Sequence, residues 1–129
     1  MLKRVPGLPQ VLDGLLLTAA LLTNRGILRA LHVIERTATA WPGVSVHPHR
    51  FGGIQFDKDS HEIGHIHGNG IVDIPFDRPS RDDLIRRGLA LPHHSFPDSG
   101  WVSLPLREDA DAARALDLLR LSYERRQRV

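Results

Sequence analysis

The chain has no cysteine among its 129 residues. That removes disulfides, thiol nucleophiles and thiolate-held metals from consideration, and it fits a reducing compartment, so a cytoplasmic location is expected. Internal repeats and low-complexity stretches are also missing. One folded unit is expected, long enough to bury about two-thirds of the surface its unfolded chain exposes. Clustered positive charge is lacking as well. The isoelectric point near 9.7 suggests a polyanion binder, but the net charge is only +2. Fifteen arginines and two lysines are interspersed with 15 acidic residues. The densest group, Arg120, Arg125, Arg126 and Arg128, is interrupted by Glu124 and suits the last turns of a helix, so no nucleic-acid partner is expected.

Long hydrophobic runs are missing too. The stretch Leu15 to Leu22 is too short to span a membrane, so no membrane partner is expected. Its basic prelude, Met1-Leu2-Lys3-Arg4, resembles a secretion signal, but Pro6, Pro9 and Asp13 interrupt it and no small-residue cleavage site follows. Residues 1–24 therefore read as an N-terminal helical extension, with a helix over 10–23 suited to packing on the domain or against a second copy of the chain. Residues 25–129 read as the folded domain.

Within the domain, Ile27, Leu31, Ile34 and Ala38 recur at helical spacing, predicting a helix over 25–39 that ends before Trp41-Pro42-Gly43. From Val44 to Phe76 the composition turns to β-branched residues, phenylalanine and glycine. Turns are expected at Asp57–Ser60 and Gly68–Gly70. Ser80, followed by Asp83, predicts the start of a short helix over Arg81–Arg87 that stops at Gly88. A strand over His93–Phe96, the turn Pro97–Gly100, a strand over Trp101–Leu106 and a helix over 109–127 complete the pattern. The fold class this predicts is α+β: a two-layer sandwich in which an antiparallel sheet from 44–76 and 93–106 carries helices packed on one face.

The segment His61-Glu62-Ile63-Gly64-His65 matches the H-E-x-x-H pattern of zinc proteases, in which a helix sets two imidazoles one turn apart. A helix fits poorly here. Gly64, Gly68 and Gly70 would each cost about 1 kcal/mol against alanine, and Ile63, Ile66, Ile71 and Val72 favour strand. Read as strands joined through Gly68–Gly70, His67 faces Ile71 and His65 faces Asp73. With Asp57–Ser60 as the preceding loop, His65 faces Gly52 and His67 faces Arg50. Alternation then places Arg50, His65, His67 and Asp73 on one face, and Phe51, Ile66, Val72, Ile74 and Phe76 on the other as core. A slip of one residue would undo this arrangement.

Several chemistries suit such a cluster. Asp73 can fix the tautomer of His65 and leave its other nitrogen as base or ligand, while Arg50 and His67 contact a small-molecule substrate. His65, His67 and Asp73 can instead share a metal in the two-histidine, one-carboxylate style. The cluster can also be a plain hydrogen-bonded network on a covered sheet face. In a strand His93 and His94 point to opposite faces, so at most one joins the site, with His94 taken as the further substrate contact. Nucleophilic serine and phosphate-loop patterns are absent: there is no G-x-S-x-G and no G-x-x-x-x-G-K-[ST].

The segments HRFGGIQF, EIGHIHGNGIVDIPF, LPHHSFPDSGWVSLPL and LLRLSYERR, in this order, resemble the luciferase-like domain family named after fungal luciferases. The resemblance covers about residues 41–126, with Gly64, His65, His67 and Gly68 as its core and His93 or His94 and the Pro97–Trp101 turn downstream. It implies a compact domain that binds a small molecule. Fungal luciferase oxygenates a hispidin-type polyphenol with molecular oxygen, so an oxidative enzyme is one expectation and a non-enzymatic interaction module the rival.

Overall fold

A computed structural model of the chain describes residues 25–49 and 52–127. The expected helix over 10–23, with its role in pairing two copies, and the side chains of Arg50 and Phe51 lie outside the described residues. The described elements run α1 (Arg25–Thr39), β1 (Val44–Pro48), β2 (Ile54–Lys58), β3 (His61–Ile66), β4 (Ile71–Pro75), α2 (Arg78–Arg86), β5 (Leu91–Pro92), β6 (Trp101–Pro105) and α3 (Ala110–Gln127). The strands form one antiparallel sheet in the order β1-β2-β3-β4-β6-β5. The fold is α+β, as the patterning predicts. Among the described residues no helix is long and apolar enough to cross a membrane.

Strand alternation divides the sheet into two unlike faces. Phe56, Ile66, Val72, Ile74, Val102 and Leu104 are buried on one, where Ile34 and Ala38 of α1 and Ala115 and Leu119 of α3 join them in a single core. α1 and α3 also pack on each other. Tyr123, almost wholly buried, donates from its hydroxyl to the Pro42 carbonyl at 2.7 Å and so ties α3 to the turn that ends α1.

Two predicted details differ. The short helix begins earlier, at Arg78, because Asp77 rather than Ser80 is its cap: the Asp77 carboxylate accepts the Ser80 N–H at 2.8 Å, and Pro79 suits the first turn. The β2–β3 turn is also tighter than the four-residue loop expected. Asp59 and Ser60 both adopt positive φ, at 48° and 75°, and Lys58 already pairs with His61.

Gly64 lets α3 approach β3. A methyl group on its Cα would stand 2.6 Å from Leu119 Cδ2, and Leu119 has no exposed surface into which to turn. Gly64→Ala is therefore expected to destabilise the domain by about 1–3 kcal/mol through overpacking. An unchanged urea midpoint would show that the helix can move away at no cost.

Candidate functional site

The second sheet face, away from α1 and α3, carries the histidines. Antiparallel pairing sets His47, Gln55, His65, Asp73, Ser103 and Leu91 in one row across all six strands. Asp73, fully buried, is the centre of that row. Ser103 Oγ donates to its Oδ1 at 2.6 Å. Four ring nitrogens stand around Oδ2: Nε2 of His67 at 2.7 Å, of His94 at 3.1 Å, of His93 at 3.2 Å and of His65 at 3.3 Å.

The opposition of His65 and Asp73 and the pairing of Ile66 with Val72 are as read from the Gly68–Gly70 turn. The His67 N–H donates to the Ile71 carbonyl at 2.9 Å and extends that register. On the other side of β3 the expected register is corrected: His65 faces Gln55, not Gly52. The tighter turn moves the partner by two residues, and a β-bulge moves it by one more. Phe56 pairs with Gly64 but Asp57 with Glu62, which leaves Ile63 as the additional residue. Arg50 is thus not brought opposite His67 by this register, since Ile54 already pairs with Ile66.

The same bulge changes the chemistry. Glu62 and His65 are three residues apart, a spacing that puts them on opposite faces of an unbroken strand. With the bulge they share a face, and His65 Nδ1 donates to Glu62 Oε2. Glu62, not Asp73, is therefore the carboxylate that meets the Nδ1 side of His65. The glycine at 64, next to the bulge, is the sequence signal that could have suggested it.

His93 and His94 need a second correction, because both reach the site. The strand stops at Pro92, so the rule that sends neighbouring side chains to opposite faces does not govern them. The rings stack at 4.3 Å between centroids, with both Nε2 atoms beside Asp73. His93 Nδ1 accepts the backbone N–H groups of Ser95 at 3.1 Å and Phe96 at 3.0 Å. His49, Ser103 and Trp101 were also not anticipated. His49 stacks on His65 at 4.1 Å, and Trp101 lies 5.4 Å from the same ring. Ser103 was legible in principle, as the one polar residue between Val102 and Leu104 in β6.

Above Asp73 opens a pocket of about 380 Å³, walled by Glu62, His65, His67, His94, Phe96 and Trp101 among others. Burial pushes the Asp73 carboxyl up, but hydrogen bonds from His65, His67 and Ser103 outweigh it and hold the group well below the usual carboxylate range. Burial likewise disfavours the His65 imidazolium, yet Asp73 and Glu62 together raise it to about 9. His93 shifts the other way: burial lowers its pKa, and the attraction of Asp73 offsets this only in part. A carboxylate fixed as the anion thus lies beneath imidazoles of unlike proton affinity.

Residues 60–122 match the Luciferase domain family. Over this span the chain is similar to that family. The span holds Glu62, His65, His67, Asp73, His93, His94 and Ser103, whereas α1, β1 and β2 precede it. No curated protein and no solved structure matches the chain.

Proposed function

We propose that this chain is an enzyme domain that takes a small organic molecule into the pocket above Asp73 and acts on it through the imidazole–carboxylate cluster. The luciferase-like match favours oxidative chemistry. The observation that carries the reading is the convergence of four imidazole nitrogens, on rings that line an open pocket with aromatic walls, on one carboxylate oxygen buried beneath them. Its volume lies in the range that takes small ligands. A purely structural network would be covered, but here the His94 side chain is 43% exposed and that of His67 19%. In this role His65 moves a proton or binds the reactive centre, Asp73 holds the cluster in place, and His67 and His94 contact the substrate. Arg50 remains a proposed contact for an anionic oxygen of the substrate.

The chain has two tryptophans, and only Trp101 lines the pocket. In a Trp41→Phe background the emission of Trp101 therefore reports occupancy. Hispidin or caffeic acid, as phenolic probes, should quench it saturably, and His94→Ala should weaken binding at least tenfold without moving the melting temperature. If neither probe perturbs Trp101 at millimolar concentration, the substrate reading is wrong.

A further inference from the structure

We propose that His65, His67 and Asp73 hold a divalent first-row transition-metal ion at the floor of the pocket. This deepens the proposed function by naming its reactive centre, and it depends on that reading only for the pocket's role.

Hydrogen bonding alone leaves the cluster crowded: His65 and His67 can both donate to Asp73 Oδ2 only by bringing two N–H groups face to face. His65 Nε2 lies 3.2 Å from His67 Nε2, and His67 Nε2 lies 2.7 Å from Asp73 Oδ2. If His67 Nε2 carries its hydrogen for Asp73, it cannot accept one from His65. If it accepts, its lone pair faces a carboxylate oxygen at 2.7 Å. Nor does one carboxylate oxygen have lone pairs for four N–H donors. An ion among the three atoms removes the conflict, because each then contributes a lone pair. Donors bound at about 2.0–2.2 Å to one ion lie roughly 2.9–3.5 Å apart, close to the 2.7, 3.2 and 3.3 Å seen here.

The surrounding groups assign the ligands. Glu62 takes the Nδ1 hydrogen of His65, which leaves Nε2 as the lone pair once the ring is neutral, the usual outer support of a metal-bound histidine. His93 is excluded as a ligand by its tautomer. Its Nδ1 accepts two backbone N–H groups, so the hydrogen of the neutral ring is on Nε2 and points to Asp73. His93 and Ser103 thus position the carboxylate from either side. Two imidazoles and a carboxylate, with no sulfur donor, suit iron(II), manganese or zinc. Three protein ligands leave coordination positions open, where a substrate can bind beside the exposed His94.

The test uses untagged, chelator-stripped full-length protein titrated with cobalt(II) alone, read by visible absorption, with zinc displacing it. We expect one ion per chain at micromolar affinity or tighter. His67→Ala, a partly exposed site that should fold normally, is expected to abolish binding. Glu62→Gln should weaken it 10–100-fold as a positioning change, and His93→Gln, which keeps an N–H donor toward Asp73, should weaken it less and retain the stoichiometry of one ion per chain. Absence of saturable binding by folded wild type would overturn the proposal, as would undiminished binding by His67→Ala. Quenching of Trp101 by a phenolic probe in excess chelator would preserve the pocket reading even then, so the two can fail separately.

Discussion

Asp73→Asn is expected to destabilise the metal-free protein by about 3–5 kcal/mol at pH 6, the usual penalty for removing one partner of a buried ion pair. Asp73 is fully buried and His65 nearly so, so solvent screens the lost charge poorly. The amide that replaces the carboxylate keeps one acceptor oxygen but loses the charge, and its NH2 must face either Ser103 or the imidazole nitrogens. Asparagine keeps the shape of the side chain, so the loss reports charge and hydrogen bonding rather than a cavity. Urea unfolding with chelator present measures it. A loss below 1 kcal/mol would mean that the cluster relaxes around a neutral centre and that the pair has little energetic weight.

The pH dependence of that difference has a definite sign. The His65 pKa is raised from 6.5 to about 9 on folding, so the stability it contributes is complete below pH 6.5 and disappears as pH rises through 9. The Asp73 pKa is lowered on folding, so its contribution is present above the ordinary carboxylate value near 4 and disappears as pH falls below it. Both shifts describe largely the same interaction and must not be added. The gap between wild type and Asp73→Asn should therefore be widest between about pH 4 and 6.5, and narrow on either side. A gap that widened from pH 7 to pH 9 would contradict this electrostatic picture.

The sheet was legible in the sequence where turn chemistry and alternation agree. Gly68-Asn69-Gly70 permits only a short loop, and the polar residues His65 and Asp73 alternate with Ile66, Val72 and Ile74. Their pairing therefore followed from period two. The β2–β3 register did not follow, for two physical reasons. Asp59 and Ser60 both adopt positive φ, which lets a two-residue turn replace the longer one the four polar residues suggested. The bulge at Ile63 is stabilised by burying that side chain and by the contact between Glu62 and His65, both tertiary effects. His93 and His94 were misjudged because alternation was applied beyond the strand's end. Where the strand stops depends on β6, whose Ser103 and Val102 pair with Leu91 and Pro92 and with nothing after them in that strand. The helices were the easiest to read, since the apolar spacing of α1 reflects burial against a single surface, and Ala30, Leu31, Ile34 and Ala38 are its buried residues. The site was thus readable down to its central pair, whereas its outer ring depended on where strands bend and stop.

Saturation with zinc is expected to raise the unfolding free energy by about 4 kcal/mol when the free ion is at a thousandfold its dissociation constant. For a domain of this size that corresponds to a rise on the order of 10–20 °C in melting temperature. The gain arises because the ion binds the arranged triad and not the unfolded chain, in which His65, His67 and Asp73 are far less constrained. It also acts at the two facing Nε2 atoms, which share Asp73 Oδ2 in the metal-free cluster. Differential scanning calorimetry with and without chelator would read the shift. His67→Ala should melt at one temperature under both conditions, and His93→Gln should keep most of the shift, since its Nε2 hydrogen is directed at Asp73 rather than at the ion. A shift of equal size in wild type and His67→Ala would place the ion elsewhere, with His47 and Asp57, 2.7 Å apart on the outer strands, the first pair to examine.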